Sequence, residues 1–218
     1  MIYMLKVVSF DVVGTLIDFS YENYVWNEAI PHLYARKRGI SLEKAKDYVL
    51  REYDSIGNKD IRWHLPEYWF KHFNLDEDPA DVFRSHADKV KSYTEVASVL
   101  RNLSQEYDLI IVSGATRSAI EIMIEKFRHY FKQIHSSVSD RKEVKKTPQF
   151  YEMICKILKR EPCSMAHVGD EWYSDFISPR RIGIKSFYLD RTGGKKGKFV
   201  IKDLTELEDR LSLFHTNA

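Results

Sequence analysis

Three short apolar runs, Leu5 to Phe10, Leu109 to Val112 and Met165 to Val168, each end in a small or acidic cluster. Continuous runs of this length predict strands buried on both faces of a parallel sheet. Helical spacing follows the second run in Ile120, Met123, Ile124 and Phe127, and a further strand, Ser186 to Leu189, ends at Asp190. Leu204, Leu207, Leu211 and Phe214 then mark the apolar stripe of a final amphipathic helix. The alternation of strand and helix predicts an α/β core with right-handed crossovers.

One interval, from Leu16 to about Tyr93, breaks the rhythm. It far exceeds the roughly 2–6 residues of an ordinary βα loop, so it reads as an inserted domain. Its pattern is helical throughout: Tyr24, Ile30 and Leu33; then Ala45, Tyr48, Val49 and Tyr53 behind Ser41 as an N-cap; then Trp63, Tyr68, Trp69, Phe70 and Phe73; then Val82 and Val90. An all-helical cap over residues 18–92 is expected on a core built from residues 1–17 and 93–218. The aromatic group reads as cap packing, with room for one member to face a crevice.

Composition narrows the function classes. With 218 residues and 44% hydrophobic content the chain can bury a sizeable core, which excludes disorder as a description of the whole. Lys and Arg number 34 against 32 Asp and Glu, a net +2 that offers no electrostatic reason for a nucleic-acid or membrane partner. Cys155 and Cys163 are the only cysteines, which excludes a disulfide framework or cysteine metal cluster and fits a reducing, cytoplasmic setting. The apolar start, MIYMLKVVSFDVV, is too short to span a bilayer and carries Lys6 and Asp11. Nothing in the composition sets an oligomeric state.

In open parallel sheets ligands bind beyond the carboxyl ends of the strands. The residues placed there are Asp11 with Val12-Val13-Gly14-Thr15, Ser113 with Gly114, the Lys145-Lys146 pair, and Asp170 with Asp175. Carboxylates so gathered can hold Mg²⁺, often together with substrate phosphate oxygens, and a lysine can neutralise a bound anion. Blander roles stand beside these. Asp175 also suits an early-helix acid, Ser113-Gly114 a helix N-cap and Arg117 a surface position. The histidines, among them His64, His72, His86 and His167, lack metal-ligand spacing of the HExxH type, and His167 reads as a buried, hydrogen-bonded strand residue.

The segments SFDVVGTL, IIVSGATR, KKTPQFY and HVGDEWYSD resemble, in order, the four motifs of the haloacid dehalogenase superfamily. The insert lies where that family places a helical cap. The resemblance implies a Rossmann-like core, a small anionic and usually phosphorylated substrate, and Mg²⁺. It makes Asp11 the nucleophile of a covalent aspartyl intermediate, Thr15 an orienting residue, and Ser113 and Gly114 the contacts to the transferred group. Lys145 is the third-motif lysine if Pro148 matches the second proline of a KPxP pattern, and Lys146 is the adjacent choice. Asp11, Asp170, Asp175 and the backbone carbonyl of Val13 are the implied metal set.

Val13 departs from the pattern, since phosphatases of the family carry there the aspartate that protonates the leaving group. Relatives without that acid include dehalogenases, which need no metal, and phosphonoacetaldehyde hydrolases, whose cap lysine finds a counterpart in Lys59 of Ile56-Gly57-Asn58-Lys59. A weakened member that only binds a phospho-ligand is the third alternative.

Overall fold

The computed structural model describes residues 4–212, so the expected helix position at Phe214 lies outside the described residues. Six parallel strands, β1 (Val7–Phe10), β2 (Asp108–Ser113), β3 (Phe131–Ser136), β4 (Met165–Gly169), β5 (Lys185–Leu189) and β6 (Val200–Ile201), form one sheet in the order β3-β2-β1-β4-β5-β6. The expected apolar strands occupy its centre, where Val8 of β1 lies opposite Leu109 on one side and Ala166 on the other. Burial on both faces explains why these runs lack alternation. Chain direction across the sheet reverses at β1, and the crevice at such a switch point opens between the carboxyl ends of β1, β2 and β4.

The insert comprises α1 (Ser20–Tyr24), α2 (Ile30–Arg38), α3 (Leu42–Ile56), α4 (Pro66–His72) and α5 (Pro79–Ser85), with a π-type turn over Val25–Ala29 joining the first two. Ser41 caps α3 as expected, its hydroxyl accepting from the Lys44 amide at 3.4 Å. Trp69, Phe70 and Phe73 are buried in the packing of the insert. Helices α6 (Val96–Leu103), α7 (Arg117–Met123), α8 (Pro148–Leu158), α9 (Ser178–Arg181) and α10 (Thr205–Ser212) complete the chain order around the sheet.

The insert leaves and rejoins the core through two strand-like connections. Asp18 N–H donates to Lys91 O at 2.9 Å and Tyr93 N–H to Leu16 O at 3.2 Å. Apolar packing is not divided at this hinge, because one continuous cluster runs from Phe10 and Leu109 in the sheet through Tyr21 to Trp69 and Phe73 in the insert. Among the described residues no helix is long and apolar enough to cross a membrane.

Candidate active site

Asp11 follows β1 directly, and its backbone N–H still bonds Val168 O of β4 at 3.0 Å, which fixes its side chain at the switch point. The chain then turns tightly, Leu16 N–H donating back to Val12 O at 2.8 Å. Gly14, at φ +78°, makes this turn, and a Cβ there would collide with the Asp170 carboxylate. A glycine is thus required both by conformation and by space. Thr15, fully buried, donates its hydroxyl toward Asp170 Oδ1 at 3.4 Å.

From β4 the chain delivers Asp170 and then, through a π-type turn over Trp172–Ile177, Asp175. Asp175 is completely buried, with Oδ2 accepting the Glu171 N–H at 2.9 Å. Its Oδ1 meets His167 Nε2 at 2.9 Å, and His167 Nδ1 lies 2.8 Å from Ser9 Oγ. Burial holds the His167 pKa below its ordinary value, while its contact with Asp175 acts in the opposite sense, and the Ser9 hydroxyl beside Nδ1 also donates to Ala166 O at 3.0 Å. The expectation of a satisfied strand histidine holds, and the partner is an acid of the site.

Lys146 reaches this cluster from the loop before α8, whose first turn is capped by the Thr147 hydroxyl accepting from Phe150 N–H at 3.2 Å. Its ammonium donates to Asp11 Oδ1 at 2.8 Å and to Asp175 Oδ1 at 2.5 Å. Lys145, the position matched to the KPxP pattern, is exposed and carries its ammonium 5.6 Å from the Tyr173 ring centroid. This corrects the lysine assignment.

Asp11, Asp170 and Asp175 present oxygens that all lie within 4.8 Å of one another. Against their three negative charges stands the one ammonium of Lys146, which leaves two charges uncompensated when all are ionised. The electrostatics record that deficit. Burial first, and the Asp175 charge after it, push Asp11 up to about 6 despite Lys146. Burial, with the charges of Asp11 and Asp175, pushes Asp170 up to about 7. Burial acts on Asp175 in the same sense but loses to Lys146 and His167, which hold it down to about 2. An all-oxygen donor set with two excess negative charges fits a hard divalent cation.

Above the carboxylates lies a cavity of about 560 Å³ whose floor includes Asp11, Val13, Ser113, Gly114, Lys146 and Asp170. Ser113 is buried on the cavity wall and its Oγ accepts the Ala115 N–H at 3.3 Å in the turn before α7, whose N-cap is Thr116, so Ser113-Gly114 does not cap that helix. Helical-insert residues Phe19, Glu22, Trp26, Trp63 and Phe83 form the roof. Trp63 is the member of the aromatic group that faces the crevice, stacked on Trp26 at 6.5 Å between centroids. Lys59 is exposed and lies outside the cavity lining, and Arg117 is engaged with Asp140 at 2.6 Å.

A family model for haloacid dehalogenase-like hydrolases matches residues 5–183. The chain belongs to that family. It is a hydrolase of the haloacid dehalogenase superfamily, with the Rossmann-like core and helical insert of that group. Among solved structures, the haloacid dehalogenase superfamily (HAD) phosphatase from Thermococcus onnurineus superposes with a TM-score of 0.81 at 24% identity, covering 95% of this chain and 98% of that one. The 2-haloacid dehalogenase from Pseudomonas syringae pv. Tomato DC3000 does so with a TM-score of 0.70 at 18% identity, covering 97% and 100%. The GMP/IMP nucleotidase YrfG of Escherichia coli K12 is 29% identical over 66 residues, which are 30% of this chain and 29% of that protein.

Two contributors carry no signal in the sequence. Arg191 donates to Gly14 O at 3.2 Å and Thr15 O at 2.7 Å, pairs with Glu95 at 2.8 Å and lies over the Tyr93 ring, so it ties the Asp11 turn to the hinge. Glu22 is the other. An isolated arginine after a strand and an isolated glutamate in an aromatic helix look like surface residues, and only the folded chain brings them to the site.

Proposed function

We propose that this hydrolase cleaves small phosphate monoesters with Mg²⁺, through an aspartyl intermediate on Asp11. The convergence of Asp11, Asp170 and Asp175 with Lys146 at the switch point carries the reading. A halide-displacing relative needs no such charge-deficient oxygen cluster. Asp11, Asp170, Asp175 and the Val13 carbonyl would hold the metal, whose contribution when bound is to offset charge on the phosphoryl oxygens. Lys146 orients Asp11 and neutralises part of the anion. The Ser113 hydroxyl and Gly114 N–H meet the transferred group, and Thr15 positions Asp170. In this scheme the Asp11 carboxylate attacks phosphorus, the leaving oxygen departs, and water then releases phosphate from Asp11.

Val13 favours a second reading, because a halide leaves without a proton and needs no acid at that position. The test is a panel containing 4-nitrophenyl phosphate, GMP, IMP, phosphonoacetaldehyde and 2-haloacids, each assayed with Mg²⁺ and with EDTA. Nucleotides belong in it because the short match is to a GMP/IMP nucleotidase and because an aromatic roof suits a planar base. Turnover of phosphate esters that EDTA removes is the expected result. Dehalogenation that survives EDTA would replace the proposal with the second reading.

Metal binding also has a pH signature with a definite sign. Asp11 and Asp170 keep their protons in the folded state up to about 6 and about 7, above the ordinary carboxylate value near 3.8. Between those limits these two groups bind more protons in the folded chain than in the unfolded one, so their contribution to metal-free stability falls as pH rises from about 4 to about 7. The opposite contribution of Asp175, lowered from 3.8 to about 2, is already complete above about 4. Mg²⁺ should therefore raise the melting temperature more at pH 8 than at pH 5. Thermal melts with EDTA or Mg²⁺ at both pH values check this, and equal shifts would count against metal at these carboxylates.

A further inference from the structure

Most of the titratable groups that line the cavity are committed. Lys146 is bound to Asp11 and Asp175, the Tyr21 hydroxyl donates to Phe83 O at 2.9 Å, and the Tyr53 hydroxyl donates to Trp26 O at 3.4 Å. His64 Nε2 lies 3.0 Å from Asn58 O, and Glu171, although on the rim, is exposed. Glu22 is different. It lines the cavity from α1 on the insert, half-buried, and among the described residues its carboxyl has neither a hydrogen-bond donor nor a cation as partner.

Its position is not accidental to a loose helix. The preceding Tyr21 is buried, hydrogen-bonded to α5 and edge-on to Phe83 at 6.5 Å between centroids, and Val25 three residues on is fully buried. These anchors set the α1 face that Glu22 presents to the cavity. Val13 lines the same cavity, an alkyl side chain where an acid for the leaving group is missing.

Resting on the phosphate-monoester reading, we propose that Glu22 supplies from the cap the acid that the Asp11 loop lacks, touching the leaving-group oxygen of the bound ester. Attack of Asp11 Oδ on phosphorus breaks the P–O bond to the alcohol. The bond's electron pair goes to that oxygen, and the Glu22 proton moves onto it, giving free alcohol, aspartyl phosphate and a Glu22 carboxylate. In the second half, water adds to phosphorus, its proton returns to Glu22, and Asp11 is released with inorganic phosphate. Burial, and after it the Asp11 charge, support the protonated starting form by pushing Glu22 up to about 7. The groups sharing its cavity are Asp11, Asp170, Lys146, Glu171, His64, Tyr21 and Tyr53, and the charge acting on Glu22 is that of Asp11.

A leaving group of high basicity needs this proton and one of low basicity does not, which separates a chemical role from a structural one. Full-length wild type, Glu22→Gln and Glu22→Asp are compared with Mg²⁺ on benzyl phosphate and 4-nitrophenyl phosphate, two esters of similar size. Glu22→Gln should lower kcat/KM for benzyl phosphate by about 10²-fold or more while leaving 4-nitrophenyl phosphate within about threefold, the scale of general acid catalysis. Glu22→Asp, which keeps the acid, should recover part of the benzyl phosphate rate. Equal losses on both esters, or no loss on benzyl phosphate, overturns the role of Glu22 and leaves the phosphatase reading standing. Wild type inert on both esters overturns that reading and this inference with it.

Discussion

Asp11→Asn is expected to lower phosphate-ester turnover by roughly 10⁴–10⁶-fold, the range seen when a residue central to a covalent mechanism is removed. The amide nearly matches the carboxylate in shape but is a far poorer nucleophile and cannot form the acyl phosphate. The fold should survive, for a physical reason specific to this cluster. Asp11 sits in a group with two uncompensated negative charges, and burial has raised its own carboxyl to about 6, so its ionised form opposes folding at neutral pH. The amide oxygen can still accept from Lys146, which keeps its second bond to Asp175. Melting at pH 8 without metal should be no lower than in wild type. Turnover within tenfold of wild type would remove the aspartyl route.

The centre of this architecture is legible because its physics is one-dimensional. A strand buried on both faces is apolar at most positions, and β1, β2 and β4 announce themselves in that way, with Ser9 and His167 as buried polar exceptions that are hydrogen-bonded. β3 escapes for the converse reason. It is one of the sheet's two edge strands, and Phe-Lys-Gln-Ile-His-Ser exposes Lys132 and Gln133 in its middle, so no apolar run remains to be seen. β6, two residues long, is below the length at which a pattern exists. The insert is legible as a length anomaly with helical spacing, but its share of a common apolar cluster with the sheet is not, since contact between distant segments leaves no local trace.

At the site, residues that immediately follow a strand were readable and residues that arrive from elsewhere were not. Asp11, Ser113 and Asp170 inherit their place from β1, β2 and β4. Which of two adjacent lysines enters the crevice depends on the direction of one side chain in a loop, and no composition or spacing carries that direction. Glu22 reaches the site only because the cap folds over it. Gly14 and Gly169 show how tightly the readable motifs are built: a Cβ at Gly169 would collide with the Asp175 carboxylate, as one at Gly14 would with Asp170. The short Asp-x-x-Gly-Thr and Gly-Asp patterns thus encode the packing of carboxylates against bare backbone.

Lys146→Met is expected to be the most destabilising single change at the site, and Lys145→Met its control. Lys146 is buried, and its ammonium bridges Asp11 and Asp175, which hold its pKa above the ordinary lysine value against the opposing effect of burial. Removing one partner of a buried ion pair leaves uncompensated charge and costs about 3–5 kcal/mol. In a chain of this size that is a melting-temperature fall on the order of 10 °C. Without the ammonium, the folded-state pKa values of Asp11 and Asp175 rise further above or toward the unfolded value, so the folded chain gains protons relative to the unfolded one. The deficit against wild type must then grow as pH rises, being larger at pH 8 than at pH 5, and Mg²⁺ should restore part of it by supplying positive charge to the same oxygens. Lys145, exposed and outside the cavity lining, should shift stability by no more than about 0.5 kcal/mol when replaced. Melting curves for both variants at the two pH values, with EDTA and with Mg²⁺, decide between the two lysines. A larger effect at Lys145, or a Lys146→Met deficit that does not change with pH, would mean that the cation binding these carboxylates together is not Lys146.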